Sequence, residues 1–444
     1  MIILLFIYTF LIGFLALKTF VPQLNNKFLI IGFSISSGIL IESFLTFLLM
    51  IINLNNRFII MSLFLLLLLV LIFSAYKKRT VIEQEKEPEK LNKFILISFI
   101  FTLIFAALLM FFHIIKEPEG SWDAMFIWNF RAKFFFVLSQ MNLDWRIFYN
   151  PVLGWTHLDY PNLLPDYNYV NHLILGRYSN LINLSAAGFV MFSALMSLMG
   201  AIKEFRGINN AFIAGIVLLA AKPFLWESMT QCADVFLSLF ILSAFIFLFL
   251  HEKYKQSVYL FLSYFYAASC SFCKNEGILF FIIFVILSLF FVGNKNKKII
   301  FTAISLPLLC LLYTKLFLFG KSDLADDQSL GIIISNLFNI NRVQTILINY
   351  LNNLFNFIPL IVTFILAVFT GLKNDNQYKK LKLMLLYLLG FMFIGFFIVY
   401  MLSLKDLIWH LTTSSMRLFV QYIPLIIFGI FMLFNCADKK DKLN

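Results

Sequence analysis

Residues 58–76 read FIIMSLFLLLLLVLIFSAY, an apolar run without a single charge. Such a run has one good solution, a helix rising about 1.5 Å per residue through a hydrocarbon layer about 30 Å thick. Comparable runs recur near 1–19, 28–53, 94–115, 185–203, 209–226, 233–250, 258–273, 278–293, 299–319, 346–372, 382–403 and 418–436. They are continuous rather than alternating, which excludes a closed β-barrel. With 61% of residues hydrophobic and 13% charged, a water-soluble fold could not hide so much apolar surface. The sequence therefore predicts an all-α polytopic membrane protein of about 13 transmembrane helices. One long extracytoplasmic loop, 116–184, is expected to hold short interfacial helices.

Formal net charge is +12. In a soluble chain that would raise nucleic acid as a partner. Here the cations cluster in short loops: KKR at 77–79, KEFR at 203–206, HEKYK at 251–255, KNKK at 295–298, KNDNQYKKLK at 373–382 and KKDK at 439–442. With thirteen spans all six fall on one side, which the positive-inside rule makes cytoplasmic. The basic charge is thus a topology signal, and no nucleic-acid partner is implied. The N-terminus is expected outside and the C-terminus inside. Residues 1–17 lack a basic n-region and a small-residue cleavage site, so no cleaved leader is expected. The expected organisation is a three-helix membrane unit at 1–76, a mixed-charge cytoplasmic linker at 77–93, a main membrane unit at 94–436 and a cytoplasmic tail at 437–444.

The unusual polar residues gather on the other face. In SWDAMFIWNFRAKFFF, 121–136, Asp123 sits just past the fourth run, with Arg131 and Lys133 beyond it. Its carboxylate suits a general base or a helix N-cap. WTHLDYPNLLPDYNYVNH, 155–172, holds His157, Asp159, Asp166 and His172, whose spacing fits no tight zinc pattern. Its tyrosines, Tyr160 among them, suit a membrane interface or a sugar-stacking surface. Asp234 enters an apolar run at the outer side, either as a functional acid or as a cap. In CKNEG, 273–277, Lys274 and Glu276 could pair with each other, or Lys274 could hold a phosphate. In WHLTTSSMRLFVQYIP, 409–424, His410 precedes Arg417, which either snorkels or clamps a phosphate ester. Of five cysteines, Cys270 and Cys273 form a CxxC with no second ligand pair, so small helix residues are the simpler reading.

Taken together, WDAMFIWNFRAK at 122–133, HLDYPNLLP at 157–165, CADVFLSLF at 232–240, KNEG at 274–277 and RLFVQYIP at 417–424 resemble the GT-C superfamily of polyprenyl-phosphate-sugar-dependent glycosyltransferases. Within it the chain is similar to bacterial relatives of protein mannosyltransferases and of the lipid A aminoarabinose transferase. The resemblance covers roughly 94–436. Two departures are plain: Asp123 is followed by Ala124 rather than a second acid, and three helices precede the loop-bearing unit.

The resemblance implies an enzyme of the bacterial inner membrane, its site on the periplasmic face. It would transfer a sugar with inversion from a polyprenyl-phosphate donor to a lipid, glycan or protein acceptor. Asp123 would be the base and Asp234 the second acid. Lys274, Glu276, Arg417, Arg131, Lys133, His157, Asp159, Tyr160 and His410 are the candidate contacts to lipid phosphate and sugar. A divalent metal is left open. A transporter or flippase of a lipid-linked glycan is the alternative, but it predicts charges within spans and internal repeats. A surface-glycan polymerase or ligase would use His410 and Arg417 but leaves Asp123 without a role.

The topology is testable by labelling intact cells with an impermeant thiol reagent in a cysteine-free background. Asp144→Cys should react and Glu85→Cys should not; the reverse pattern would overturn the orientation.

Overall fold

The structure is a computed structural model that describes residues 1–77, 89–293, 296–318, 335–373 and 375–435. Most of the linker at 77–93, most of the 320–345 loop and the tail at 437–444 lie outside the described residues. The described chain forms helices α1 (Ile2–Phe20), α2 (Lys27–Ile51), α3 (Arg57–Lys77), α4 (Lys93–Lys116), α5 (Asn129–Gln140), α6 (Leu163–Leu175), α7 (Asn180–Arg206), α8 (Ile208–Ala220) and α9 (Lys222–Glu227). These are followed by α10 (Ala233–Tyr254), α11 (Ser257–Cys273), α12 (Asn275–Phe291), α13 (Lys297–Phe317), α14 (Ile340–Leu354), α15 (Ile358–Thr370), α16 (Lys379–Leu402), α17 (Leu407–Val420) and α18 (Ile423–Leu433). The protein is an all-α polytopic membrane protein.

Among the described residues, nine helical segments are long and apolar enough to cross a membrane, with α14 and α15 counted as one. The α17–α18 pair, bent by 45°, makes a tenth if taken as a single span. The other three of the thirteen predicted runs form the shorter apolar helices α8, α11 and α12. At about 1.5 Å per residue, seventeen residues reach only about 26 Å. By length and composition alone, the described residues thus supply nine or ten spans, and the count of thirteen is not reached on that measure. The sequence also treats 404–417 as an outer segment before the last span, whereas α17 already begins at Leu407.

Burial runs opposite to that of a soluble protein at the periphery. α3 and α4 are almost wholly apolar, yet most of their side chains, such as Phe58, Leu65, Phe101 and Phe105, face outward. That surface is stable only against hydrocarbon. At the centre, α10 is buried along its membrane-spanning length and packs against α7, α11 and α18. α2 is also largely buried, against α1, α6 and α7.

The segment between α4 and α7 folds onto the bundle. A helix starting at Trp122 contains a π-turn at Ala124–Trp128 and continues as α5. Two 3₁₀ turns, Trp145–Tyr149 and Pro151–Thr156, lead into α6. α6 lies against α2, and Trp145 Nε1 donates to the Met50 carbonyl at 2.8 Å. This packing presents the head of the segment, Gly120–Asp123, to the turn before α10.

The α11–α12 junction is equally tight. Lys274 alone separates the helices, in an extended conformation. Gly277 then lies so close to α11 that a Cβ there would stand 1.9 Å from the Cys270 carbonyl oxygen. Gly277→Ala should therefore force the two helices apart and cost about 1–3 kcal/mol. Thermal unfolding in detergent checks this: a lowered melting temperature is expected, and an unchanged one would contradict the packing.

Candidate functional site

Asp234 lies in the first turn of α10, where an acid favours the helix dipole. Its carboxylate does not cap the helix. It is fully buried and accepts four hydrogen bonds from side chains of three other positions. Oδ1 takes Lys274 Nζ and Gln421 Nε2, each at 2.7 Å. Oδ2 takes Arg417 Nη2 at 2.9 Å and Nε at 3.3 Å. These donors come from the α11–α12 turn, the end of α17 and the α17–α18 bend. The bend has a use: it turns Gln421, one helical turn past Arg417, onto the same carboxylate.

Arg417 reaches further. Its Nη1 donates to Asp123 Oδ2, and its Nε lies 3.5 Å from Glu227 Oε1. Asp123 makes no capping bond with its side chain, so the ion pair replaces the N-cap role considered from the sequence. Its backbone is held by neighbours. Ser121 N donates to the Thr230 carbonyl at 3.1 Å, and Ser121 Oγ lies 3.1 Å from Cys232 Sγ. The π-turn that follows Asp123 is a local distortion of a kind common at functional sites.

Lys274 bridges Asp234 to Glu276, whose Oε1 lies 2.9 Å away. Of the two readings of the CKNEG turn, the structure shows the pairing one: Lys274 pairs with its neighbour Glu276 and also with the buried Asp234. Burial alone would lower the Lys274 pKa, but Asp234 and Glu276 outweigh it and hold it above the ordinary lysine value. Glu227 behaves oppositely. Burial, with Asp234 adding to it, outweighs Arg417 and Lys274 and pushes it up to about 7.

The cluster is graded in exposure. The side chains of Asp234 and Lys274 are 0% and 4% exposed, while those of Asp123 and Arg417 are 28% and 22% exposed. It has a closed floor and an accessible rim. Its charges are four carboxylates, from Asp123, Glu227, Asp234 and Glu276, against two cations, Arg417 and Lys274.

Asp159 belongs to an adjoining layer. Its Oδ2 accepts from Asn275 Nδ2 at 2.7 Å, and its carbonyl accepts from Lys315 Nζ at 2.6 Å. Lys315 also donates to Asn275 Oδ1 at 2.9 Å. Tyr160 stands next to it, its ring against Trp128 and His157. Burial raises its phenol pKa, and the charges of Glu276, Lys274 and Arg417 also reach it.

The other candidates are placed differently. Arg131 is fully buried and spends its guanidinium on the carbonyls of His157 and Tyr160 and on Asn162 Oδ1, at 2.6–2.8 Å. It shapes the 157–162 loop and is closed to solvent. Lys133 lies over the Tyr178 ring, 4.9 Å from its centroid. His157 turns the chain in a left-handed conformation after the second 3₁₀ turn. His410 bonds Ser403 Oγ at 2.8 Å and packs on Tyr400.

The His and Asp residues of 155–172 do not gather. Asp166 is buried, with burial holding its carboxyl well above the usual range, and His172 bonds Asn183. Among the described residues, no group of three His, Cys, Asp or Glu side chains is arranged to hold a metal ion. Cys270 and Cys273 are buried free thiols bonded to separate carbonyls.

Sequence reasoning missed Glu227, Gln421, Asn275 and Lys315. Gln421 had a signal, a polar residue one turn after Arg417 in an apolar run, and Glu227 is an acid directly after the 209–226 run. Asn275 and Lys315 had none beyond their polarity.

Because Asp234 is buried and accepts from both cations, Asp234→Asn should leave them underpaired and cost about 3–5 kcal/mol. Asp123→Asn, at the partly exposed rim, should cost no more than about 1 kcal/mol. Unfolding temperatures of the two variants check this, and equal losses would contradict the graded burial. No family model matches the chain, nor does any curated protein or solved structure.

Proposed function

We propose that the protein is a membrane glycosyltransferase that moves a sugar from a polyprenyl-phosphate donor to an acceptor presented at the face bearing Asp123. The supporting observation is the meeting of Asp123, Asp234, Lys274 and Arg417, from segments up to 294 positions apart, in one ion cluster with an accessible rim. Isolated helix caps would have no reason to meet.

The charge balance suggests an order of events. Both cations are already engaged, so a donor phosphate must displace a carboxylate to reach Arg417. Asp123 is the most exposed partner and the one least held by other donors, so it is the one to leave. Phosphate binding then does two things at once. It places the leaving group on a guanidinium suited to it, and it frees Asp123 to take the acceptor proton. The acceptor oxygen attacks the anomeric carbon, the bond to the phosphate oxygen breaks, and the polyprenyl phosphate departs with the electron pair. Asp234, Lys274 and Gln421 keep Arg417 in place behind the reacting atoms. A phosphate leaving group needs little protonation, so a single base suffices, as inverting transfer requires.

One observation favours the transporter alternative: Glu42 is a buried carboxylate within the α2 span. Activity separates the two. With a radiolabelled polyprenyl-phosphate sugar and membrane extract as acceptor source, Asp123→Asn should lower transfer about 10²–10⁴-fold while the protein stays folded. Undiminished transfer by that variant would remove the base role, and movement of intact donor across vesicles without transfer would favour the alternative.

A further inference from the structure

Glu227 is one of three carboxylates around Arg417, and the mechanism above gives it no part. It ends α9 and is 7% exposed. Its Oε1 lies 3.5 Å from Arg417 Nε and accepts from Thr230 Oγ1 at 3.1 Å. Thr230 in turn gives its carbonyl to Ser121 N, two residues before Asp123. The next residue, Gln231, donates to the Pro118 carbonyl at 3.0 Å and accepts from Asn129 Nδ2 at 2.8 Å. One carboxylate thus touches the proposed phosphate clamp and, through a single threonine, the segment that carries the proposed base.

We propose that Glu227 is a positioning residue that docks the Asp123 segment beside Arg417 and, by gaining or losing a proton, sets the affinity of Arg417 for the donor phosphate. The inference rests on the reading of Arg417 as that clamp. The groups around Glu227 are Arg417 from α17, Asp234 from α10, Cys232 at the head of α10 and Lys274 from the α11–α12 turn. From α4, His113 sets its ring against the adjacent Trp226 at 4.3 Å and pairs with Glu117. Cys232 stays a neutral thiol, burial pushing it up to about 12.

The sign follows from the Glu227 value of about 7. Below it Glu227 is neutral, and Arg417 faces two carboxylates. Above it Glu227 is ionised, and a third negative charge competes with an incoming phosphate. Binding should therefore weaken as pH rises through 7. A phosphate monoester gains its own second charge near pH 6, about where phosphorylated side chains do, and this works the other way. The difference between wild type and variant isolates the Glu227 contribution.

The test uses the full chain in lipid nanodiscs, with undecaprenyl phosphate as probe and thermophoresis as readout between pH 5.5 and 8.5. Glu227→Gln should bind the probe roughly three- to tenfold tighter than wild type at pH 8.5, as expected for removing one nearby, partly screened charge. The two should converge at pH 5.5. Glu227→Asp should restore the wild-type profile. Thr230→Val removes a hydrogen bond that favours the ionised acid and should move the break to higher pH, a readout that stands if Glu227→Gln does not fold. Parallel profiles for wild type, Glu227→Gln and Thr230→Val would overturn the role of Glu227 and leave the clamp reading intact. If wild type does not bind the probe, or Arg417→Ala binds it equally well, the clamp reading fails and the inference fails with it.

Discussion

Asp234 is a carboxylate with no access to water, sitting in the most enclosed helix of a bundle whose outside is hydrocarbon-facing. An unpaired charge there would be strongly unfavourable. Its four side-chain hydrogen bonds offset that cost, and supplying them fixes the surrounding structure. The one-residue junction at Lys274 brings a lysine to Oδ1. The break between α17 and α18 turns Gln421 to the same oxygen and leaves Arg417 on the other. Arg417 then draws in Asp123 and Glu227. The α4–α7 segment, α9, the α11–α12 turn and the α17–α18 bend are thus tied to one buried group.

The cluster also has a direction. Asp234 and Lys274 are closed off, whereas Asp123 and Arg417, a carboxylate and a guanidinium joined to each other, are partly exposed, as is Glu276. Such a pair is ready for a ligand bearing the opposite arrangement, an anion to replace the acid and a proton donor to engage it once released. The proposed phosphorylated donor, together with a hydroxyl acceptor, would meet both demands. The adjoining layer of Asp159, Asn275 and Lys315 couples the 157–162 loop to the same turn, so the loop that Arg131 shapes is held against the rim.

Much of this was legible in the sequence because charge is so scarce in it. In a chain of long apolar runs, Asp123, Asp234, Lys274 and Arg417 stand out at the run ends, and the basic loops suggested that all four share one face. What stayed hidden depended on geometry. Asp123 and Asp234 looked like caps, since an acid at a helix start reads the same whether its carboxylate turns to the backbone or away from it. Arg131 looked like a substrate contact because nothing in its neighbourhood shows that three acceptors of the 157–162 loop would close around it. The bend at Gln421 was invisible, since Pro424 at the start of α18 is compatible with a straight or a broken span. Hydropathy also could not separate the short α8, α11 and α12 from full spans, because it reports apolar character more reliably than length.

The central claim is that the Asp123–Arg417 pair opens to admit a lipid phosphate. An experimental structure of the protein with undecaprenyl phosphate bound tests it most directly. The account predicts phosphate oxygens within hydrogen-bonding distance of Arg417, the Asp123 carboxylate released toward the open rim, and the Asp234–Lys274 pair unchanged. A phosphate bound elsewhere, with Asp123 still paired to Arg417, would contradict it.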